Sequence, residues 1–360
     1  MCKPRTYLQI DTSALISNFN YLKSKLASDK TLMCVVKADC YGHGSECIKV
    51  LSDAGAEFFA VSSLEEAVEA RKYTDKEILI LSYTPPCDTK YLFGGNFIQT
   101  VYSKEYADLL ISNMKDGEKL RVHIKIDTGM NRLGFRYDDE NGILSILNDP
   151  HFTVEGMFTH FAKGDEKDKS ATEKQLEKFI FAKITVLKNT SRKLIYHCAN
   201  SGAVLDFPKS HMDMARGGIS LYGLPPSDEI SSEGLTPIAK LISTVVHVHD
   251  VFPNDEISYG GDFKACKNMK VATVACGYGD GLSRRAVGMD IEINGCKAKI
   301  IGRVCMDHFM VDVTDFEKIP SVGDEAVVFS DAVKYAEHIK TIPYECLCNV
   351  SKRVKRKYVC

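Results

Sequence analysis

The sequence lacks the features that mark nucleic-acid-binding, secreted and membrane-spanning proteins. Its 46 Lys and Arg residues are offset by 48 Asp and Glu residues, and the net charge of −2 provides no broad basic field for nucleic acid or an anionic membrane. No apolar run reaches the roughly 18 uncharged residues of a membrane span, and the N-terminal MCKPRTYLQIDTSAL has no hydrophobic signal core. We therefore expect a soluble, cytoplasmic protein without a nucleic-acid or membrane partner.

The cysteines lack the arrangement of a disulfide framework or a metal site. There are 13 of them, an odd number, and no two are spaced as C-x-x-C. Cys346 and Cys348 form a C-x-C, but no second pair with zinc-like spacing lies nearby. Many of the others fall within apolar runs, where cysteine acts as a small core residue. The sequence predicts reduced thiols in a reducing compartment and no bound metal.

The N-terminal part of the chain alternates between apolar runs and helix-like stretches, without any repeat of solenoid length. With 360 residues the chain exceeds one typical core, which indicates two domains. About eight alternating units favour an α/β fold, a closed TIM-type (β/α)8 barrel of parallel strands, over an open doubly wound sheet. The apolar runs are residues 32–36, 57–61, 78–82, 97–101, 121–126, 153–158 and 193–196, and helix-like stretches include 63–72, 104–114 and 172–188.

Beyond about residue 235 the pattern changes to short segments in which apolar and polar residues alternate between Gly, Pro and Asp turns. Examples are KLISTVVHVHDV, MKVATVACGY and DEAVVFSD. Such alternation is typical of antiparallel strands. The densest run of Pro, Gly and Ser, at residues 223–237, marks the boundary. We therefore expect an α/β barrel over residues 1–235 and a mostly antiparallel β domain over residues 236–360.

The segment TLMCVVKADCYGHG, residues 31–44, is the most informative stretch. It places Lys37 at the carboxyl end of a buried strand, where α/β barrels carry their chemistry. A buried ammonium must find a partner, lower its pKa or react. A desolvated amine suits Schiff-base chemistry with a carbonyl cofactor. From its position alone, a lysine that caps the strand and reaches into solvent is the simpler interpretation.

The residues of this segment resemble a motif of a known family. VVKADCYGHG closely resembles the cofactor-lysine segment of alanine racemases, enzymes that carry pyridoxal 5′-phosphate (PLP) on a lysine. The resemblance continues, in the family's order, through KIDTGMNRLGF, MFTHFAKGD, HCANSGA, ARGGISLYG, ISYGG, GYGDGLSRR and GRVCMDH. It implies a PLP-dependent racemase, with Lys37 as the cofactor lysine, that interconverts L- and D-alanine by a two-base mechanism, and a small amino acid as substrate.

The PLP phosphate needs backbone N–H groups, close approach at glycine and hydroxyls. The segments around Ser201 and Gly218 supply these groups after the late strands, where barrels often bind phosphate. Either segment alone would be interpreted as an ordinary glycine turn. The resemblance implies that Ser201, the N–H groups of Gly218 and Ile219, and the Tyr41 hydroxyl hold the phosphate.

The resemblance places Arg216 at the cofactor's ring nitrogen and implies that His197 orients it. A guanidinium can only donate hydrogen bonds, so it leaves the ring nitrogen unprotonated. Most PLP enzymes place a carboxylate there, which makes the ring a deeper electron sink. We therefore expect little diversion of the reaction into transamination. Taken singly, an arginine beside two glycines is more often a surface ion-pair former.

Racemisation needs one proton-moving group on each face of the substrate. The resemblance implies Lys37 on one face and, on the other, Tyr259 of Ser258-Tyr259-Gly260, contributed by a second subunit. This arrangement calls for a head-to-tail homodimer with a shared active site. A free tyrosine titrates near pH 10, and His160 is the implied helper that links Tyr259 toward Arg216. Taken singly, both have ordinary structural interpretations.

Further residues follow from the same resemblance. Arg132 reaches the cofactor's phenolic oxygen and the substrate carboxylate, for which a planar cationic fork is suited. Lys125 is often carbamylated in relatives, which turns a cation that would repel Arg132 into an anion that positions it. Met306 and Asp307 match the family's wall around the substrate, which the second subunit contributes. Asp165, Arg284 and Arg303 match its polar entrance corridor, and a surface ion-pair cluster is the simpler alternative for these three residues.

One departure puts alanine specificity in doubt. The family usually has S-Y-R-V-P-R near its C-terminus, whereas this chain has Ser351-Lys352-Arg353-Val354-Lys355-Arg356. The usual tyrosine touches the phosphate and crowds the substrate methyl. Lys352 could still pair with phosphate while leaving room for a longer or hydroxylated side chain. Alanine is the favoured substrate, and serine or a broader range is the alternative.

Two other classes share part of this organisation. A PLP-dependent decarboxylase of basic amino acids has a barrel and a β domain, but its ring nitrogen faces a carboxylate instead of Arg216. A non-catalytic PLP carrier resembles the barrel alone, and residues 236–360 argue against it. The sequence leaves open whether the product feeds cell-wall synthesis, amino-acid breakdown or resistance.

Overall fold

The computed structural model describes residues 4–360, which form two compact units. We call residues 15–40 and 45–236 the barrel unit, and residues 4–14, 41–44 and 237–360 the β unit. The β unit therefore includes the beginning of the chain and the four residues Tyr41–Gly44. Each unit is described separately.

The strands, in chain order, are β1 (Thr6–Asp11), β2 (Thr31–Val35), β3 (Phe58–Val61), β4 (Glu77–Ile80), β5 (Ile98–Val101), β6 (Leu120–Asp127), β7 (Phe135–Arg136), β8 (Phe152–Phe158), β9 (Ile195–His197), β10 (Met214–Gly217), β11 (Ala239–Val251), β12 (Glu256–Ile257), β13 (Phe263–Lys264), β14 (Met269–Val274), β15 (Asp290–Ile293), β16 (Cys296–Ile301), β17 (Phe309–Asp312), β18 (Glu325–Phe329) and β19 (Lys355–Val359).

The α-helices are Thr12–Ser24, Glu46–Asp53, Leu64–Ala70, Thr89–Gly94, Lys104–Ile111, Glu140–Leu147, Ser170–Asn189, Ser201–Asp206, Ala332–Ile339 and Pro343–Cys348. Short 3₁₀ turns are Pro86–Asp88, Pro208–Ser210, Ile219–Tyr222, Tyr259–Gly261, Tyr278–Asp280 and Arg284–Ala286. Within residues 4–360, no helix combines the length and apolar character required to cross a bilayer.

The barrel unit contains a closed ring of parallel strands. Their order is β5-β4-β3-β2-β10-β9-β8-β6, and a β5–β6 pairing closes the ring. Strands such as Phe58–Val61 and Ile98–Val101 are buried at every residue, as expected for parallel strands covered on both faces. Ser63 and Ser103 cap the helices that follow these strands by accepting a backbone N–H. The predicted TIM-type barrel is confirmed.

The β unit is built on a mostly antiparallel sheet of order β14-β17-β16-β15-β18-β11-β1-β19. Part of its core is formed by Val251, Ile257, Ala265, Met269, Val271 and Ile301. The predicted antiparallel β domain is confirmed, with two additions. The basic run near the C-terminus forms β19, which pairs in parallel with β1, and two helices lie between β18 and β19.

The segment from Lys37 to Tyr41 forms a left-handed turn. Ala38 has a φ of +52°, and Asp39, Cys40 and Tyr41 each have a φ of +54°. Left-handed backbone costs L-residues about 1–2 kcal/mol each, so other contacts must stabilise the turn. In the β unit, Arg356 donates to the Gly42 carbonyl from Nε (3.0 Å) and Nη2 (2.8 Å).

Substitution of Gly42 by alanine should destabilise the β unit strongly. The φ of Gly42 is +82°, and an added Cβ would lie 2.0 Å from the carbonyl oxygen of Leu347. Backbone strain and the clash together should lower the free energy of unfolding by about 2–5 kcal/mol. Denaturant unfolding measures this change. Gly288→Ala is the matched control, because Gly288 has a φ of +81° and no atom within 4 Å of its Cβ position. A loss no larger than that of Gly288→Ala would contradict the prediction.

Candidate active site

The carboxyl ends of three neighbouring barrel strands carry several of the predicted site residues. Strand β10 pairs with β2 on one side and with β9 on the other. Lys37 follows β2, Arg216 lies in β10 with Gly218 directly after it, and His197 ends β9. Ser201 opens the helix after β9. The structure therefore gathers these residues at one edge of the barrel.

Arg216 is a buried cation held by carbonyl oxygens and imidazoles. Arg216 is only 3% exposed. Its Nη2 donates to the carbonyls of Thr159 (2.8 Å) and Cys198 (2.9 Å). Nη1 lies 2.9 Å from His197 Nδ1, and Nη2 lies 3.3 Å from His160 Nδ1. Burial lowers the pKa of Arg216 to about 10, which still leaves it charged at neutral pH. No carboxylate is among these partners.

Two contacts fix the ring of His197 inside the barrel. Its ring stacks on Phe158, with centroids 4.7 Å apart and planes 4° apart. Its Nε2 lies 3.0 Å from Nδ1 of His123, which is fully buried. The sequence analysis missed His123, although a histidine inside the apolar run 121–126 is an unusual core residue. Burial lowers the pKa of His123 to about 3, so it is neutral.

The predicted phosphate segment is compact. The Ser201 hydroxyl accepts the backbone N–H of Gly218 at 2.8 Å, and Ile219 begins the next short turn. Asn200 caps the helix that begins at Ser201 by accepting the N–H of Ala203. Ser201 and Gly218, which are 17 positions apart in the sequence, are therefore in direct contact.

Lys125 lies in β6 and is almost completely buried, at 6% exposure. Burial is the main reason that its pKa falls to about 7, and the positive charges of Arg216 and Arg132 lower it further against the opposing effect of Asp127. Its Nζ donates to the Ile126 carbonyl at 2.8 Å. At neutral pH a large fraction of this amine is therefore uncharged.

Arg132 is exposed on the loop after β6. Asp127 shapes the beginning of this loop by accepting three backbone N–H groups, those of Gly129 (2.8 Å), Met130 (3.0 Å) and Asn131 (3.2 Å). The arginine is thus carried by an ordered turn. The sequence analysis did not single out Asp127.

His160 follows β8, and Asp165 lies further along the same loop. Burial, and then the positive charges of Arg216, Lys125, Arg132 and Lys37, hold the pKa of His160 well below its usual value. His160 is consequently a neutral imidazole. Asp165 is half-buried, and its backbone carbonyl accepts a hydrogen bond from the Ser227 hydroxyl.

The β unit presents Tyr259 on a short turn. Tyr259 is 71% exposed. Its neighbours Ser258 and Gly260 have φ values of +69° and +78°. Ser258 donates to the Arg303 carbonyl at 2.6 Å. Arg303 also pairs with Asp262, so the turn and the predicted corridor arginine are neighbours within this unit.

The other predicted residues of the β unit fall into three groups. Tyr41 is buried, with its ring 6.0 Å from that of Tyr344. Met306 and Asp307 share one loop, in which Met306 is 53% exposed. Arg284 and Lys352 are exposed.

A buried carboxylate supports the Met306–Asp307 loop. Asp280 is 1% exposed and is bound by Arg5 (3.2 Å) and Arg353 (2.7 Å). Arg353 also bonds Asp307 (2.9 Å) and the Met306 carbonyl (3.3 Å). The sequence analysis identified neither Arg5 nor Asp280, because partners separated by about 275 positions leave no local pattern.

Comparisons with known proteins decide the family. The model of the alanine racemase N-terminal domain matches residues 10–226, and that of the alanine racemase C-terminal domain matches residues 238–358. The chain belongs to the alanine racemase family. It is 39% identical to the alanine racemase of Desulfovibrio desulfuricans over 98% of both chains, and 38% identical to that of Clostridium perfringens over 99% of this chain and 96% of the relative.

Solved structures agree with this assignment. Alanine racemase of Clostridium difficile 630 has a TM-score of 0.95 at 36% identity, covering 100% of this chain and 97% of the other. Alanine racemase from Bacillus anthracis with bound L-Ala-P has a TM-score of 0.94 at 32% identity, covering 100% and 96%. Alanine racemases are PLP-dependent, and the chain is an enzyme of this family.

The residues of the barrel unit fit PLP. The hydrogen bonds of Arg216 use Nη1 and Nη2, and within residues 4–360 no group accepts from its Nε. This leaves a charged donor for a ring nitrogen that can only accept. The Ser201–Gly218 pair supplies a hydroxyl and glycine backbone suited to a phosphate. Across the same described residues, no cluster of three His, Cys, Asp or Glu is placed to hold a metal.

Proposed function

We propose that this chain interconverts L- and D-alanine through a PLP-dependent two-base mechanism. The supporting observation is the environment of Arg216, a buried guanidinium whose partners are carbonyls and neutral imidazoles. A donor-only group opposite the ring nitrogen favours a racemase over a decarboxylase, which uses a carboxylate there. The PLP carrier lacks the β unit.

The same proposal names the residues that would hold the cofactor. Lys37 would bind PLP through its ε-nitrogen, and Arg216 would donate to the ring nitrogen. Ser201, Gly218, Ile219 and Tyr41 would bind the phosphate. When bound, PLP withdraws electrons from the substrate's Cα–H bond and thereby makes the α-proton removable.

The proton is moved by two groups of this chain. Lys37 acts on one face of the substrate and Tyr259, from a second copy, on the other, which requires a homodimer. His160 is neutral because it is buried and because positive groups lie near it, so it can accept a hydrogen bond from the Tyr259 hydroxyl and lower the cost of removing that proton. Arg132 binds the substrate carboxylate.

The β unit of the second copy would complete the substrate path. Its Met306 and Asp307 would form the wall around the substrate, and Arg353 and Arg5 hold the loop that carries these two residues. The corridor residues are Asp165, Arg284 and Arg303. The charges along this corridor attract a small zwitterion.

The function is tested by three measurements on one reaction. Purified holoenzyme is given L-alanine, and optical rotation, carbon dioxide and D-alanine are measured. Racemisation without carbon dioxide release supports the proposal. Carbon dioxide release would indicate the decarboxylase, and the absence of both changes would indicate the carrier.

Carbamylation of Lys125 is a second expected result. Only the neutral amine reacts with carbon dioxide, and a pKa of about 7 makes it available at neutral pH. The modified fraction should therefore rise as the pH rises through that value and fall on acidification. Intact mass measured before and after acid treatment should differ by one carbon dioxide. Lys125→Arg is the control that cannot carry the group, and an unchanged wild-type mass would contradict the prediction.

Substitution of Lys352 by tyrosine should narrow the substrate range. The exposed Lys352 stands where the family usually has a bulky tyrosine, and a difference of one methylene in an apolar pocket changes selectivity by about 10–200-fold. We expect the alanine-to-serine ratio of kcat/KM to rise by about tenfold in Lys352→Tyr. Deuterium exchange at the α-carbon across a panel of L-amino acids measures this. Lys355→Pro is the matched control, because Lys355 is the other position that differs from the usual family sequence. Equal alanine-to-serine ratios in wild type and Lys352→Tyr would contradict the prediction.

A further inference from the structure

Three buried side chains form a chain of hydrogen bonds in the barrel interior. His123 Nδ1 lies 3.0 Å from His197 Nε2, and His197 Nδ1 lies 2.9 Å from Arg216 Nη1. The exposures of the three residues are 0%, 0% and 3%. Solvent therefore cannot replace any of these contacts.

The direction of every hydrogen bond in this chain is determined by the arginine. A guanidinium has donors only, so His197 Nδ1 must accept and the proton of His197 must sit on Nε2. That N–H then donates to His123 Nδ1, which leaves the proton of His123 on its own Nε2, a buried atom with no hydrogen-bond partner within residues 4–360. A doubly protonated His197 would set one N–H against another, and it would add a charge beside Arg216.

From this geometry we propose that His123 is a positioning residue that holds His197 in its Nε2–H tautomer, so that His197 accepts from Arg216 and aims it at the cofactor's ring nitrogen. This inference rests on the proposed function, in which Arg216 faces that nitrogen. In this proposal, a residue that does not contact PLP controls the tautomer of His197.

The surroundings of His123 are shaped for this task. His123 is in register with Gly156 of the neighbouring strand β8. A Cβ at Gly156 would lie 2.6 Å from His123 Cε1 and 2.7 Å from Nε2. A side chain at this position would displace the imidazole, so the glycine leaves the space that the second histidine occupies.

Apart from Arg216 and His123, no described contact selects the tautomer of His197. Stacking on Phe158 fixes the plane of the ring but treats both tautomers alike. Without an acceptor at the position of His123 Nδ1, an Nε2–H would be left unpaired in a dry interior. The Nδ1–H form would then compete, and its proton would point at Arg216.

The test compares four variants of the holoenzyme. His123→Phe keeps a planar ring but removes the acceptor, and His123→Asn restores a side-chain acceptor. Gly156→Ala displaces His123 without changing it. His211→Phe is the matched control, because His211 is a buried histidine of the same unit whose Nε2 contacts the carbonyls of Ala203 (3.1 Å) and Val204 (3.2 Å).

Two readouts are used. Nitrogen-15 NMR of histidine-labelled protein, with and without PLP, reports the tautomer of His197, identified by its loss in His197→Phe. Pyruvate released per alanine racemised reports transamination. We expect mixed His197 tautomers and an about tenfold higher pyruvate ratio in His123→Phe and Gly156→Ala, the equilibrium change that loss of one hydrogen bond brings. His123→Asn and His211→Phe should resemble wild type.

The outcomes separate this inference from the proposed function. If His197 in His123→Phe keeps the Nε2–H tautomer and the pyruvate ratio is unchanged, the inference is wrong. If His123→Phe does not fold, Gly156→Ala and His123→Asn decide it by the same two readouts. Absence of racemisation in wild type would contradict the proposed function, whereas the NMR result would still report on the histidine pair.

Discussion

Replacement of Lys37 by alanine is expected to lower the rate of alanine racemisation by at least about 10⁴-fold, because the variant loses both a proton-moving group and the covalent anchor of the cofactor. The amine lies at the carboxyl end of β2, beside the strand that carries Arg216. Strand β2, Thr31–Val35, contains no lysine of its own.

The measurement is the steady-state rate of D-alanine formation, together with borohydride reduction and peptide mapping of the trapped cofactor. The label should appear on Lys37 in wild type and on no peptide in Lys37→Ala. Lys49→Ala is the control, since Lys49 is an exposed lysine of the following helix that pairs only with Asp53 among the described ion pairs. Residual activity above about one hundredth of wild type would be inconsistent with a base that contributes 10²-fold or more.

Tyr259→Phe is expected to lower racemisation by about 10²–10⁴-fold. The phenylalanine keeps the ring on the exposed turn but removes the hydroxyl that moves a proton. Lys37 still works on its own face. Exchange of the α-proton for deuterium should therefore continue for one enantiomer of alanine and stop for the other.

The decisive measurement is NMR of α-deuterium incorporation into each enantiomer separately. Tyr91→Phe serves as the control, because Tyr91 is a 52% exposed tyrosine of the barrel unit that no proposal involves. Equal exchange rates for both enantiomers in Tyr259→Phe would show that the tyrosine is not the second base.

Mixing the two inactive variants tests the shared site. If each site takes Lys37 from one copy and Tyr259 from the other, a Lys37→Ala/Tyr259→Phe heterodimer contains one intact site. Random reassembly of equal amounts should then restore about a quarter of wild-type activity. A mixture as inactive as its components would argue that both groups act within one copy.

Much of the barrel was accessible from local sequence patterns. Continuous apolar runs at 57–61 and 97–101 lie within one residue of strands β3 and β5, because strands buried on both faces admit few polar residues. The eighth strand, Met214–Gly217, escaped this reasoning, since half of its four residues are Arg and Gly. Its place is fixed by pairing with β2 and β9, which no local pattern shows.

The β unit shows where local patterns fail. Residues 332–348 contain two helices in a region whose overall alternation indicates strands. Strand β1 lies between β11 and β19, at separations of more than 200 residues in sequence. A short stretch such as TYLQID alternates like any half-buried strand and does not specify its partner.

The sequence named individual candidate residues but not the contacts between them. The resemblance named Arg216 and His197, but the geometry adds His123, and only the three-dimensional register of β6 and β8 pairs this residue with Gly156. Likewise, the left-handed turn at Ala38–Tyr41 could not be anticipated, because none of its four residues is glycine.

The pairing of β1 with β19 has a consequence for synthesis on the ribosome. The strands of the barrel are complete once residue 217 has emerged, and domains generally fold as they appear. Strand β1, which is made before the barrel strands, obtains its parallel neighbour only from residues 355–359. Until those residues have emerged, one edge of this strand is unpaired and can bind other chains, so nascent protein truncated before residue 355 should aggregate or recruit chaperones.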